Sequence, residues 1–256
     1  MTLLPNRSKV LTILLTSCFA SGVADAVKPI DAKAQEWGYG GAVNPTRWEE
    51  LSSKYSTCET GNAQSPINIQ QVAETNLPRI NFDYQPTPLE VVNNGHTIKV
   101  NYEPGSSIQL NGQQYELKQF HFHTPSEHRI EGTASAMEMH FVHKNQAGDI
   151  AVVAALMKEG NSNPALEKIW EDLPAEGEKK KSDTSIDASR FLPQDRAYYN
   201  YTGSLTSPPC SEGVNWLVLE TPIEASQEQV EKFMELYSVN ARPVQPLNGR
   251  QIQLKE

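Results

Sequence analysis

The sequence predicts a mostly β fold of the α+β type, with short strands outnumbering short helices. Three observations carry that expectation. Fifteen Gly and 17 Pro are spread along the 256 residues rather than gathered into repeats, several stretches alternate side-chain character with a period of two, and an Asn-Gly step joins two such stretches as a hairpin turn would. From Trp37 onward no linker and no repeat of fixed period divides the chain. One domain is therefore expected, and at roughly 100 to 200 residues per domain its length is ample for a sizeable core.

The elements follow in chain order. Residues 89–92 and 96–102 flank Asn93, Asn94 and Gly95 and read as a hairpin. Residues 115–123 and 137–143 alternate as half-buried strands do. Residues 150–157 are continuously apolar, which suits a strand buried on both faces or a short buried helix. Asn163 and Pro164 ahead of residues 165–172 read as the cap and first position of a short helix. The stretch 176–183, with three consecutive lysines, reads as a solvated loop, and residues 214–220 as another strand. Ser226 followed by Gln229 suggests a capped helix through residue 237.

Composition narrows the function. Lys and Arg number 22 against 31 Asp and Glu, a formal charge of −9. Nucleic-acid binding needs clustered cations to neutralise phosphates, so no nucleic-acid partner is expected and a small or neutral partner is favoured. The first 26 residues are set aside as an export signal: Arg7 and Lys9 form a basic region, residues 10–20 are mostly apolar, and Ala24-Asp25-Ala26 is a cleavage site before Val27. The domain is then 27–256. The apolar run is shorter than the roughly 20 residues a transmembrane helix needs. Leu15-Thr16-Ser17-Cys18 resembles a bacterial lipoprotein box, which would instead lipidate Cys18. Either way the protein is expected outside the cytoplasm, periplasmic or extracellular. Cys58 and Cys210 are then the remaining cysteines, and an oxidising compartment favours a bond between them over a reactive or metal-binding thiol.

All six histidines fall between His96 and His143. His121 and His123 stand two apart on a strand candidate, so they share a face. His140 comes 17 residues after His123, far enough for the chain to return beside the first strand. Three neutral imidazoles on one side of a sheet suit zinc and leave its fourth tetrahedral position to water. Glu138 and Gln119 each lie two residues before a candidate ligand, on the same face, where they can accept a hydrogen bond from the ring nitrogen that does not bind metal.

With these residues in view the chain resembles the α-class carbonic anhydrases, and among them the exported bacterial members. The resemblance rests on Gln119-Phe-His-Phe-His123, Pro125-Ser126-Glu127-His128, Glu138-Met-His-Phe-Val-His143 and Gly203-Ser-Leu-Thr-Ser-Pro-Pro209. It extends from Trp37-Gly38-Tyr39 through Gln64-Ser-Pro-Ile-Asn-Ile69 and Asn93-Asn-Gly-His96 to Arg242-Pro-Val-Gln245. It implies a single domain around a central, mostly antiparallel twisted sheet of about ten strands with small peripheral helices.

The resemblance also assigns roles. His121, His123 and His140 would hold Zn2+. Thr206 would accept a hydrogen bond from zinc-bound hydroxide and donate one to Glu127, which accepts only when ionised. The reaction implied is reversible hydration of carbon dioxide to bicarbonate and a proton by attack of that hydroxide, zinc having lowered the pKa of its water to about 7; carbonic anhydrase is the standard case of that effect. Val142, Val152, Leu205, Val214 and Trp216 would form an apolar substrate pocket, with Ser207 beside it. His96 would shuttle the proton to buffer, which suits a group titrating near neutrality, along a water path lined by Tyr39 and Asn94. His128 and His143 match buried structural histidines. A Cys58–Cys210 disulfide would hold the Thr206 loop. Lys99 departs from the better-known animal pattern, where a smaller polar residue is usual. A homodimer is an expectation from the resemblance alone. The rival readings are a carbonic-anhydrase-like binding module without catalysis, and a zinc-dependent esterase; retention of all three histidines with Thr206 and Glu127 weighs against the first.

Overall fold

Among the described residues twelve strands form one sheet, and the order of the ten that make its unbranched path sets where the histidines meet. The computed structural model describes residues 1–2, 36–171 and 173–255, and all elements named below belong to the compact unit Ala34–Glu256. The export segment with its cleavage site, and Cys18, lie outside the described residues. So does Asp172, at the expected end of the first helix. The strands are β1 (Ala73–Glu74), β2 (Thr87–Asn93), β3 (Ile98–Asn101), β4 (Gln113–His123), β5 (Met137–Lys144), β6 (Ile150–Glu159), β7 (Lys179–Ile186), β8 (Tyr198–Ser204), β9 (Glu212–Ala225) and β10 (Gln253–Lys255). Across the sheet they run β7-β2-β3-β4-β5-β6-β9-β8-β10-β1. Neighbours are antiparallel except β6 with β9 and β10 with β1. Asn81–Asp83 and Ser107–Leu110 join through β4, and Asn68–Ile69, Arg129–Ile130 and Thr133–Ala134 form a separate small sheet.

The period-two pattern divides the sheet into two faces. Phe120 and Phe122 of β4, Met139 and Phe141 of β5, Val153 and Ala155 of β6 and Leu217 and Leu219 of β9 enter the larger apolar core. The residues between them face the other way: Val152, Ala154, Trp216 and Val218 form a second cluster with Ile67 and Ile69. β6 sits between two strands and is buried from Ala151 to Met157. A continuous apolar run is what a strand covered on both faces requires, and this decides between the strand and helix readings. His143 is fully buried beside Tyr84, whose hydroxyl lies 2.8 Å from its Nε2. Burial pushes its pKa down to about 3, so it serves as a neutral packing residue.

The caps form as expected. Asn163 Oδ1 accepts from the N–H groups of Ala165 and Leu166 at the start of the helix Pro164–Trp170. Ser226 and Gln229 complete a capping box on the helix Gln227–Met234. Two local expectations change. The lysine-rich stretch is an edge strand rather than a loop: Lys179, Lys180 and Lys181 pair with Val92, Val91 and Glu90 while their side chains stay exposed. Lysines on an edge discourage pairing with a second sheet, so their exposure and the strand are compatible. The hairpin strand β3 begins at Ile98, not His96, because Asn94 Oδ1 accepts from both the His96 and Thr97 N–H groups. His96 therefore rides on a turn, with Gly95 at φ +81°.

Candidate active site

Antiparallel pairing of β4 and β5 places His140 opposite His121 and Glu138 opposite His123. Three imidazoles thus converge from two strands, with ring centroids 4.6 to 5.2 Å apart. One nitrogen from each lies within 4.8 Å of the others. The remaining nitrogen of each ring is engaged. His121 Nδ1 lies 2.9 Å from Gln119 Oε1, His123 Nδ1 lies 2.7 Å from the Asn240 carbonyl oxygen, and His140 Nε2 lies 2.8 Å from Glu138 Oε1. All three partners are acceptors, so the protons of the neutral rings point outward and three lone pairs point inward. Burial, and then its two companion histidines, hold His121 well below the usual imidazole range. Burial also lowers His123. Neutral imidazole is the form that binds a metal.

Two buried atoms at this centre lack hydrogen-bond partners: His123 Nε2 and Glu127 Oε2. They stand 3.6 Å apart, and Glu127 Oε2 is 3.9 Å from His140 Nδ1. Lone pairs and a carboxylate oxygen gathered out of water call for a cation. The residues present therefore fit a zinc ion, with His121 Nε2, His123 Nε2 and His140 Nδ1 as its donors.

Glu138 is the centre of the supporting web. It accepts from His140, from His128 Nδ1 at 2.6 Å and from the His128 backbone N–H at 2.7 Å. Burial alone would raise its pKa, but His128 and His140 beside it hold the carboxyl well below its usual range. His128 in turn meets the Tyr201 hydroxyl, which lies 2.9 Å from Ser65 Oγ. Ser65 exchanges hydrogen bonds with Ser204, where the Thr206 loop begins. A Cβ on Gly203 would lie 2.1 Å from Ser65 Oγ, so glycine is required for this approach. The loop's other end is held by the Cys58–Cys210 disulfide and by Gln64 Nε2, which donates to the Cys210 carbonyl. Replacing Glu138 by Ala should weaken zinc binding about 10–100-fold, as loss of an outer partner of a ligand does; competition with a chelator measures it.

Glu127 is buried, and its Oε1 accepts the Arg242 backbone N–H at 2.8 Å. Thr206 is buried too, but the hydrogen bond expected between them is not formed among the described residues. Oε1 is taken by Arg242, and Oε2 stands by the ring nitrogens of His123 and His140. Asn240 and Arg242 were not singled out by sequence reasoning for these contacts, because both act through backbone atoms, which carry no side-chain signature.

The profile of the eukaryotic-type carbonic anhydrase family matches residues 43–256. The chain belongs to that family, the α-class carbonic anhydrases. A carbonic anhydrase of Nostoc sp. is 44% identical over 252 residues, covering 95% of this chain and 96% of the relative. One from Neisseria gonorrhoeae is 44% identical over 244 residues, covering 94% and 95%. Among solved structures, a hyperthermostable carbonic anhydrase identified from an active hydrothermal vent chimney superposes with a TM-score of 0.85 at 48% identity, covering 86% of this chain and 100% of that one. The protein is an enzyme, a carbonic anhydrase, and hydration of carbon dioxide is its reaction. The family is zinc-dependent.

A cavity of about 260 Å3 opens onto the centre and gathers Tyr39, Asn94, His96, Lys99, Thr206 and Ser207 with His121 and His123. In this carbonic anhydrase His96 is half-buried and its ring stacks on Trp37, centroids 3.7 Å apart and planes 9° from parallel. Burial lowers its pKa, while Glu36 and Glu176 act in the opposite direction. Lys99 pairs across the sheet with His121. Val142, Val152, Leu205, Val214 and Trp216 pack as one cluster on the histidine face of the sheet. They do not line that cavity, yet the Trp216 ring lies 4.9 Å from that of His140.

Proposed function

We propose that the enzyme interconverts carbon dioxide and bicarbonate with Zn2+ held by His121, His123 and His140, and that His96 carries the released proton to buffer. The observation that supports it is the convergence of three imidazole lone pairs whose ring protons are all held by acceptors. Zinc, when bound, supplies a Lewis acid that makes hydroxide available as a nucleophile near neutral pH. The chain's own residues do the rest. Gln119, Asn240 and Glu138 fix the ring orientations. Thr206, in the cavity wall, would accept a hydrogen bond from the nucleophile and donate its own proton to Glu127 Oε2, which has no partner in the structure and is therefore free to take up a bond not formed there. That directs a lone pair of the nucleophile toward the substrate carbon. Carbon dioxide is apolar, and the cluster of Val142, Val152, Leu205, Val214 and Trp216 packed on the histidine face, with Trp216 beside His140, would supply the apolar wall it meets. Stopped-flow hydration of carbon dioxide before chelation, after it and after zinc is restored tests the reading; activity that survives complete removal of zinc would sink it.

The proton leaves past Ser207, Tyr39 and Asn94 to His96, which stands between the metal centre and an outer groove lined by Glu36, Glu176 and Tyr237. His96→Ala should slow turnover by at least about fivefold in weak buffer, with recovery on adding imidazole, since a positioned proton carrier is worth that much and more. A change under twofold without rescue would remove His96 from the mechanism.

The mature enzyme is proposed to be a single domain, 27–256, exported after cleavage at Ala26 or lipidated at Cys18, and homodimeric. The Cys58–Cys210 bond supports export, since cytosolic thiols stay reduced. Among the described residues no helix is long and apolar enough to cross a membrane.

A further inference from the structure

Three chain segments that the reaction does not use meet at another cavity, of about 400 Å3, lined by Arg79, Asn81, Gln194, Asp195, Arg196 and Lys255. It lies at the start of β8, whose other end carries the Thr206 loop, roughly 20 Å away at strand spacing.

Its charge runs against that of the protein. The chain is acidic overall, at −9, yet none of Arg79, Arg196 and Lys255 enters an ion pair among the described residues. Asp195, the one carboxylate of the lining among the described residues, accepts the Ala197 backbone N–H at 3.0 Å. Arg196 is held over the Phe82 ring, 5.2 Å from its centroid. Its Nη1 is shielded from solvent and has no hydrogen-bond partner. Burial lowers its pKa, so the guanidinium is only partly compensated for leaving water. A donor left in that state is costly, and three like charges gathered against a single carboxylate add repulsion.

We propose that this cavity binds a phosphate dianion, inorganic phosphate or a small phosphate monoester, between Arg79, Arg196 and Lys255. Three cations against one carboxylate match a double negative charge. Donors approaching from separate chain segments suit a tetrahedral oxyanion better than a flat one. The Arg fork presents paired N–H groups to phosphate oxygens, and the amides of Asn81 and Gln194 add further donors. The volume leaves room for an ester group beyond the phosphate.

The test uses the full chain with its zinc, titrated with inorganic phosphate at ionic strength held constant with chloride. The thermal midpoint and the phosphorus NMR line width are followed. Saturable binding is expected with half-effect at about 1–10 mM. Arg196→Gln and, separately, Lys255→Gln should each weaken it about tenfold, the size of one charge-assisted hydrogen bond. Hydration of carbon dioxide without phosphate should stay within about twofold of the parent in both variants. An equal response in the parent and both variants, which phosphate at the metal centre or bulk salt would give, overturns the proposal. So does the lack of any saturable response. Lys255 is partly exposed on a strand next to the sheet edge, so its variant decides the matter if the Arg196 change impairs folding.

Discussion

His121→Ala should leave a folded protein that neither keeps zinc nor hydrates carbon dioxide. His121 supplies one of three inward lone pairs, and removing it leaves two neutral imidazoles beside Glu127. Two imidazoles hold zinc far more loosely than three, so affinity should fall by more than the roughly 100-fold that losing an outer partner costs. Turnover should fall more than about a thousandfold, because water without a metal has a pKa far above neutrality. The fold should survive. His121 is the half-buried member of the triad, on the cavity wall, and its backbone pairing with Lys99 and His140 does not depend on its side chain. Metal content by emission spectroscopy, stopped-flow hydration and a denaturation curve measured together decide it. Retained zinc with an intact rate would show that the ligands lie elsewhere.

Removing the disulfide has the second largest expected effect, and it acts on stability first. Cys58 and Cys210 are 152 residues apart and both are buried. Closing so long a loop restricts the unfolded chain, and a double Cys58→Ser, Cys210→Ser variant should lose about 2–5 kcal/mol of unfolding free energy. Catalysis should suffer as well. The Cys58 carbonyl accepts from Arg242 Nη2, the Cys210 carbonyl accepts from Gln64, and Arg242 presents its backbone N–H to Glu127. Denaturant midpoints of oxidised, reduced and double-serine protein give the stability term, and kcat/KM of the folded fraction gives the other. Equal midpoints for all three would show that packing around Trp48, not the bond, holds this region.

The convergence of the three histidines was legible because its information is local and periodic. His121 with His123, Gln119 with His121 and Glu138 with His140 are all pairs two apart, and a strand puts such pairs on one face. The Asn163 cap and the Ser226 box were legible for the same reason, since each is complete within a few residues. The Lys179–Ile186 edge strand was not, because exposed side chains on both faces leave no alternation to read. The parallel pairing of β6 with β9 joins segments about sixty residues apart, a distance over which composition carries no register. The stacking of Trp37 on His96 brings together residues from distant parts of the chain, and nothing near either predicts it.

Asn240 carries a consequence of its own. Its carbonyl accepts from His123 Nδ1, its Oδ1 accepts from the Thr124 N–H, and its Nδ2 donates to the carbonyls of His96 and Phe122. One residue is thus a shared post for His123, a proposed metal ligand, and for the turn that bears His96, the proposed proton carrier. Under the proposed mechanism, speed of proton export and grip on the metal are therefore not independent traits. Adaptation to a new buffer or a metal-poor habitat cannot retune one through this segment without disturbing the other, which leaves the outer groove around Glu36 and Glu176 as the freer ground for change.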